Sequence, residues 1–165
     1  MIDPGLTDKV VLVTGGNNPS GIGAAIARSF ASHGARVFIH YFRQKIDLSD
    51  QEKYDSPSQE PGLAFFCEQQ RKTADEVIAS IRDSGGKAGC GEGDLRDPQN
   101  VQHLFEQAEK AFGQIDILVN NAAEYLADTF LPTNAFKEDA VLWEGGPTTT
   151  TIGVESHDRH FEVNT

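Results

Sequence analysis

The strongest constraint in this chain is a glycine-rich turn set between a strand pattern and a helix pattern. Lys9 to Thr14 is a short β-rich run containing Val10-Val11-Leu12-Val13. It leads directly into Thr14-Gly15-Gly16-Asn17-Asn18-Pro19-Ser20-Gly21-Ile22-Gly23. A helix is then expected from about Gly21 to His33, with Ile22, Ile26 and Phe30 recurring as an apolar stripe and Gly34 ending it. Strand, glycine turn and amphipathic helix in that order suit a dinucleotide pyrophosphate. Glycine lets the backbone come close to the phosphates, and the helix N-terminus offers free N–H groups to an anion. A plain tight turn is the alternative reading; the context favours binding.

The rest of the chain repeats the alternation. Arg36 to Tyr41 reads as a second strand and Glu68 to Ser84 as a second helix, with Ala74, Val77, Ile78 and Ile81 on one face and Gly85-Gly86 as its stop. Lys87 to Gly91 is a weak third strand. Asp97-Pro98 places an N-cap before a proline at the first helical position, opening a third helix that carries Val101, Leu104, Phe105, Ala108 and Phe112 up to Gly113. Ile115 to Val119 is a fourth strand, and a last helix begins near Ser156. The polar segment from 44 to 62, with Pro57 and Pro61, reads as a long surface loop. So does most of 124 to 156, which holds Gly145-Gly146-Pro147, four successive threonines and a helical turn around Ala135 to Leu142. Alternating strands and helices imply right-handed βαβ units, hence an α/β fold with a doubly wound parallel sheet of order 3-2-1-4, as one domain over residues 1–165.

Composition excludes several classes. A net charge of −11 makes nucleic acid a poor partner, since phosphate backbones need basic patches. The acidity between residues 44 and 61 is that of a solvated loop. The apolar runs are strand-sized, and the N-terminus lacks a basic start followed by an apolar stretch, so neither a membrane span nor a secretory signal is expected. Cys67 and Cys90 show neither metal-type nor disulfide-type spacing, which points to a reduced, cytoplasmic chain. His157 and His160 are three apart on a helix without a third ligand; they read as solvent-facing, and no metal site is expected.

These residues resemble the short-chain dehydrogenase/reductase family. Thr14-Gly15, a spacer and Gly21-Ile22-Gly23 after the first strand are similar to its cofactor signature. Asp94-Leu95 after the third strand matches its adenine-pocket Asp-Leu or Asp-Val. Asn120-Asn121-Ala122-Ala123 after the fourth matches its Asn-Asn-Ala-Gly, with Ala123 in place of the last glycine. His157 to Asn164 looks like its active-site asparagine helix, with Asn164 as that asparagine. The resemblance implies a Rossmann-type fold and reversible hydride transfer between a nicotinamide cofactor and a carbonyl or alcohol substrate. It assigns cofactor contacts to Gly15, Asn18, Ser20, Gly21, Ile22, Gly23, Tyr41, Arg43, Asp94, Leu95, Asn121, Ala122 and Ala123, and a water-positioning role to Asn164. Asn120 is expected to line the adenosine pocket by its backbone and to tie neighbouring strands by its side chain. Asp94 accepts from the adenine amino group or serves as a turn or capping aspartate, and both roles are compatible. A homo-oligomer is possible for the complete protein.

The departures also carry information. The glycine turn is two residues longer than the common form, a spacing similar to that of a subset of 3-oxoacyl-carrier-protein-reductase-like members. The two long loops shape a substrate entrance or oligomer contact, or are tolerated insertions; the latter is favoured. The family's catalytic serine and Tyr-x-x-x-Lys fall beyond the asparagine helix, and this chain ends at Thr165. The expectation is a cofactor-binding part of an oxidoreductase that does not turn over by itself, or a non-catalytic nucleotide-binding fragment or inactive truncated product, with Asn164 frayed beside the terminus. The one Tyr-x-x-x-Lys present, Tyr41 to Lys45, follows the second strand at the adenosine end and reads as strand end and loop. That strand ends in His40-Tyr41-Phe42-Arg43 without an acid for the ribose hydroxyls. Arg43 suits a 2′-phosphate, so NADP(H) is favoured over NAD(H), which remains possible. His33, His40 and His103 receive no role.

Overall fold

The computed structural model describes residues 4–43, 63–124, 128–129 and 150–164. It divides into two compact units, residues 1–122 and 123–165.

The first unit is a sheet with helices. The strands are β1 (Val10–Val13), β2 (Arg36–Tyr41), β3 (Lys87–Glu92) and β4 (Ile117–Val119), all parallel, in the order β3-β2-β1-β4. This is the expected 3-2-1-4 arrangement of a Rossmann-type α/β fold. β1 is buried along its whole length and β2 at every position after Arg36. That is why both read as continuous apolar runs and not as alternations. Registers of Val13 with Ile39 and of Val13 with Val119 bring the ends of β2 and β4 beside the turn after β1.

Helix α1 (Ile22–Ser32) lies against this sheet through a face that differs from the expected stripe. Gly23, Ala24, Ala27 and Ala31 are its buried residues. Ile26 and Phe30 flank the core in partly buried positions, and Ile22 is 75% exposed. The small alanine side chains let the helix approach the sheet closely, which the bulkier stripe would prevent.

The expected helix over Glu68 to Ser84 is two helices, α2 (Leu63–Gln70) and α3 (Asp75–Asp83). The break has a local cause: the Thr73 hydroxyl and the Asp75 carboxylate bond each other at 2.7 Å, and the Asn17 side chain occupies the Lys72 carbonyl at 2.9 Å. Such side-chain bonds compete with the helical ladder. The expected inward face survives the break, with Ala74, Val77, Ile78 and Ile81 all buried. Helix α4 (Pro98–Phe112) starts as read: the Asp97 carboxylate accepts from the Gln99 N–H at 2.9 Å. Leu104 and Ala108 enter a second core cluster with Leu12 and Phe38, while Phe105 stays outside it, 36% exposed.

In the second unit, β5 (Asp128–Thr129) and β6 (Thr150–Thr151) pair in parallel, and α5 (Val154–Asn164) follows. The loop expected over 44 to 62 and the helical turn expected at Ala135 to Leu142 lie outside the described residues.

Candidate functional site

The strand ends on one side of the sheet converge on the glycine turn. Thr14 is the hub for β4. Its hydroxyl donates to the Val119 carbonyl at 3.3 Å and accepts the N–H groups of Asn121 at 3.0 Å and Ala122 at 2.9 Å. The Asn121 amide nitrogen donates to the carbonyls of Thr14 (2.8 Å) and Gly15 (3.0 Å). Asn121 therefore ties β1 to β4, the task expected of Asn120, which is exposed. The chain leaves β4 at Val119, and it is the second asparagine whose amide reaches the carbonyls of Thr14 and Gly15.

Two glycines in the turn are required by contact. Gly15 has φ +69°, and a Cβ there would lie 2.9 Å from the Ala122 Cα. A Cβ at Gly23 would lie 2.5 Å from the Gly15 carbonyl oxygen and 2.6 Å from the Asn121 amide nitrogen. The extra length of the turn is held from both sides. Asn17 is buried with its amide on Lys72, Asn18 accepts from the Ser20 N–H at 3.0 Å, and the Arg28 guanidinium donates to the Pro19 carbonyl at 2.9 Å. Ser20 and Ile22 are exposed at the turn's outer edge.

His40 is the residue that sequence reasoning missed. Its ring is 2% exposed, and both nitrogens are engaged. Nε2 lies 2.8 Å from the Gly93 carbonyl, and Nδ1 accepts from the Gly15 N–H at 3.3 Å. The bonding pattern calls for a neutral ring with its proton on Nε2. Burial holds its pKa below the usual 6.5, against the raising influence of the Gly93 carbonyl and Asp94. One ring thus links the turn after β1 to the segment after β3. A histidine inside the apolar run Val37-Phe38-Ile39-His40-Tyr41 was the available signal: a polar residue at a buried strand position needs partners.

At the outer ends of β2 and β3 the acids and bases are paired. Arg43 forks onto Glu92, at 2.9 Å from Nε and 2.7 Å from Nη2. Arg96 holds Asp94 at 2.6 Å. The guanidinium in each pair draws its carboxylate's pKa below the usual range. The Asp94 carboxylate also accepts its Arg96 N–H, and its carbonyl accepts from Asp97 N–H, so the turn-aspartate reading describes its bonds. Leu95 points into the second core cluster. Tyr41 is buried in the main core, and burial raises its phenol pKa, opposite to the lowered value a catalytic tyrosine needs. Glu92 also went unremarked in the sequence, because it belongs to β3 and reaches the end of β2 only through the register of Tyr41 with Glu92.

The N-termini of the helices differ. Asp97 caps α4, and α3 carries Asp75 and Glu76 in its first turn. Helix α1 has neither a side-chain cap nor an acid in its first turn. Its N–H groups and dipole end are left for an anion from outside the helix.

In the second unit, Asn164 closes α5 and is not frayed as expected. Its Oδ1 accepts from the Glu124 N–H, and its Nδ2 donates to the Glu124 carbonyl, each at 3.0 Å. Arg159 adds an ion pair to the Glu124 carboxylate at 2.6 Å. Ala123 is exposed. His157 packs against Phe161, with ring centroids 4.6 Å apart and the planes tilted by 36°, and bonds Asp158.

A parallel 3-2-1-4 sheet, with a glycine turn feeding an uncapped helix, defines the class of nucleotide-binding α/β domains. Comparison with known proteins narrows this. A family model described as short chain dehydrogenase matches residues 58–144. A short-chain type dehydrogenase/reductase of Picea abies is 30% identical over 165 aligned residues, covering 96% of this chain and 44% of that protein. Among solved structures, a short-chain dehydrogenase/reductase from Serratia marcescens superposes with a TM-score of 0.61 at 26% identity. A short chain dehydrogenase from Burkholderia cenocepacia, in complex with NADP, does so with 0.60 at 29%. Each covers 97% of this chain and 46% of the other. The chain belongs to the short chain dehydrogenase family, an oxidoreductase family, and spans less than half the length of these relatives.

Proposed function

We propose that these residues form the dinucleotide-binding part of an NAD(P)(H)-dependent oxidoreductase acting on small carbonyl or alcohol substrates, with NADP(H) preferred. The observation that carries this is the uncapped, acid-free start of α1 behind a turn in which Gly15 and Gly23 leave no room for a Cβ. The residues present fit the group. Gly15, Asn18, Ser20, Gly21, Ile22 and Gly23 offer backbone groups and small surfaces to the pyrophosphate. Asp94 and Leu95 bound the adenine, and Asn121, Ala122 and Ala123 line the path toward the nicotinamide. Arg43 supplies the charge for a 2′-phosphate; the NADP held by the Burkholderia relative supports that reading. When bound, the nicotinamide supplies the hydride.

Thr14 and His40 do not touch the cofactor in this scheme; together with the side-chain bonds of Asn121 they hold the turn in shape. Asn164 orients a water in the proton relay of the complete enzyme. The long turn supports kinship with 3-oxoacyl-carrier-protein-reductase-like members. The tyrosine and lysine of the relay are not drawn from Tyr41 and Lys45, since Tyr41 is buried in the core. The 165 residues by themselves are accordingly proposed to bind the cofactor without turnover.

The test is titration of the purified chain with NADPH and NADH, followed by nicotinamide fluorescence or calorimetry. Saturable binding, tighter for NADPH, is expected. A folded chain that binds neither nucleotide overturns the proposal.

A further inference from the structure

We infer that Glu92 is a specificity-determining residue: it holds Arg43 at the ends of β2 and β3 and thereby sets how strongly a 2′-phosphorylated dinucleotide is preferred over an unphosphorylated one. The inference rests on the reading of Arg43 as the 2′-phosphate residue and deepens it.

The geometry is a fork. Arg43 Nε and Nη2 meet the two oxygens of Glu92 at 2.9 and 2.7 Å. The pair is placed by the backbone: Tyr41 and Glu92 are register partners, and the Gly93 N–H donates to the Tyr41 carbonyl at 3.1 Å. Both side chains are accessible, 49% for Arg43 and 32% for Glu92, so solvent or a ligand can reach the pair. The neighbouring acid, Asp94, is engaged by Arg96 in the same manner. Two guanidinium groups and two carboxylates therefore stand at these strand ends with no net charge.

A phosphate recognises a guanidinium by the same two-pronged geometry that Glu92 now occupies. A 2′-phosphate must displace the Glu92 carboxylate from Arg43 and then tolerate its charge close by. An unphosphorylated ribose makes no such demand and leaves the fork closed. Glu92 thus lowers the affinity for NADPH and leaves NADH nearly untouched. The acid absent from the end of β2 is supplied from β3, acting through Arg43.

The test is a binding cycle on the full chain with NADPH and NADH, using wild type, Glu92→Gln, Arg43→Ala and the double variant. Glu92→Gln is expected to tighten NADPH about five- to tenfold, as removal of an accessible ion pair and of a like charge allows, with NADH changed less than about twofold. In the Arg43→Ala background the same substitution is expected to tighten NADPH less, because only the like-charge contribution is left to remove. Glu92→Asp, which keeps the charge but shortens the reach, is expected to fall between wild type and Glu92→Gln, and it serves as the second variant should Glu92→Gln fail to fold.

If Arg43→Ala weakens NADPH while Glu92→Gln and Glu92→Asp leave it unchanged or weaken it, the role of Glu92 is refuted and the reading of Arg43 stands. If Arg43→Ala leaves the NADPH-to-NADH ratio unchanged, or the wild type binds neither nucleotide, both fall together.

Discussion

His40 and Gly23 show how single side chains, or their absence, hold the turn. The neutral His40 ring accepts from Gly15 and donates to Gly93, and protonation of Nδ1 would remove the acceptor for the Gly15 N–H. The unfolded ring titrates near its ordinary 6.5, whereas the buried ring takes a proton only at lower pH. Well above 6.5 neither state is protonated and the contribution is complete. As pH falls below 6.5 the unfolded chain binds the proton first, so stability drops until the folded ring titrates too. Denaturant midpoints measured between pH 8 and 5 should show this loss in the wild type and lack it in His40→Asn. Persistence of the same loss in that variant would assign it elsewhere. His40→Asn should also destabilise by about 1–3 kcal/mol at pH 8, since Gly15 N–H or Gly93 C=O loses its partner. At Gly23 the added methyl of Gly23→Ala would press on the Gly15 carbonyl and the Asn121 amide. A loss of about 1–3 kcal/mol in chemical denaturation is expected, with weakened NADPH binding; an unaffected affinity would mean that the turn relaxes without cost to the site.

Among the elements, the N-termini of α1 and α4 contrast: the second is closed by its own chain and the first is left open. The Asp97 cap of α4 satisfies an N–H that α1 leaves unsatisfied. Asp97→Ala should therefore cost about 1 kcal/mol of stability while leaving NADPH affinity unchanged, checked by urea denaturation and titration of the same variant. A large fall in affinity would show that the segment from Asp94 to Asp97 is positioned by the cap as well. The division of the expected second helix into α2 and α3 belongs at this scale. A buried asparagine in the glycine turn reaches across 55 residues to the Lys72 carbonyl, so the helix break and the long turn support each other.

For the whole molecule, binding and folding are linked. The residues proposed to hold the cofactor come from the segments after all four strands, and in the first unit these segments meet only when the sheet has formed. NADPH at about a hundredfold its dissociation constant should then stabilise the chain by about 2.7 kcal/mol, seen as a rise in the thermal midpoint that depends on NADPH concentration. Saturable binding without such a rise would mean that the nucleotide also binds the unfolded chain. Among the described residues β4 pairs only with β1, and Leu118 on it is 46% exposed, so this side of the sheet presents apolar surface.

The sequence by itself determined the order of the four sheet strands, their parallel 3-2-1-4 arrangement, the N-cap at Asp97 and the place of the glycine turn, because each depends on periodicity or on the local needs of the backbone. It also marked the inward face of α3, where the apolar residues are large and regularly spaced. Tertiary structure decided what depends on a neighbour far along the chain. The face of α1 was misread because close packing on the sheet selects alanine over isoleucine, and no local pattern expresses that closeness. Asn121 took the role expected of Asn120, its amide reaching the carbonyls of Thr14 and Gly15. His40 became a strut and Glu92 became the partner of Arg43 only when β2 and β3 were laid side by side, since a hydrogen bond across 53 residues or an ion pair across 49 leaves no mark in either segment alone.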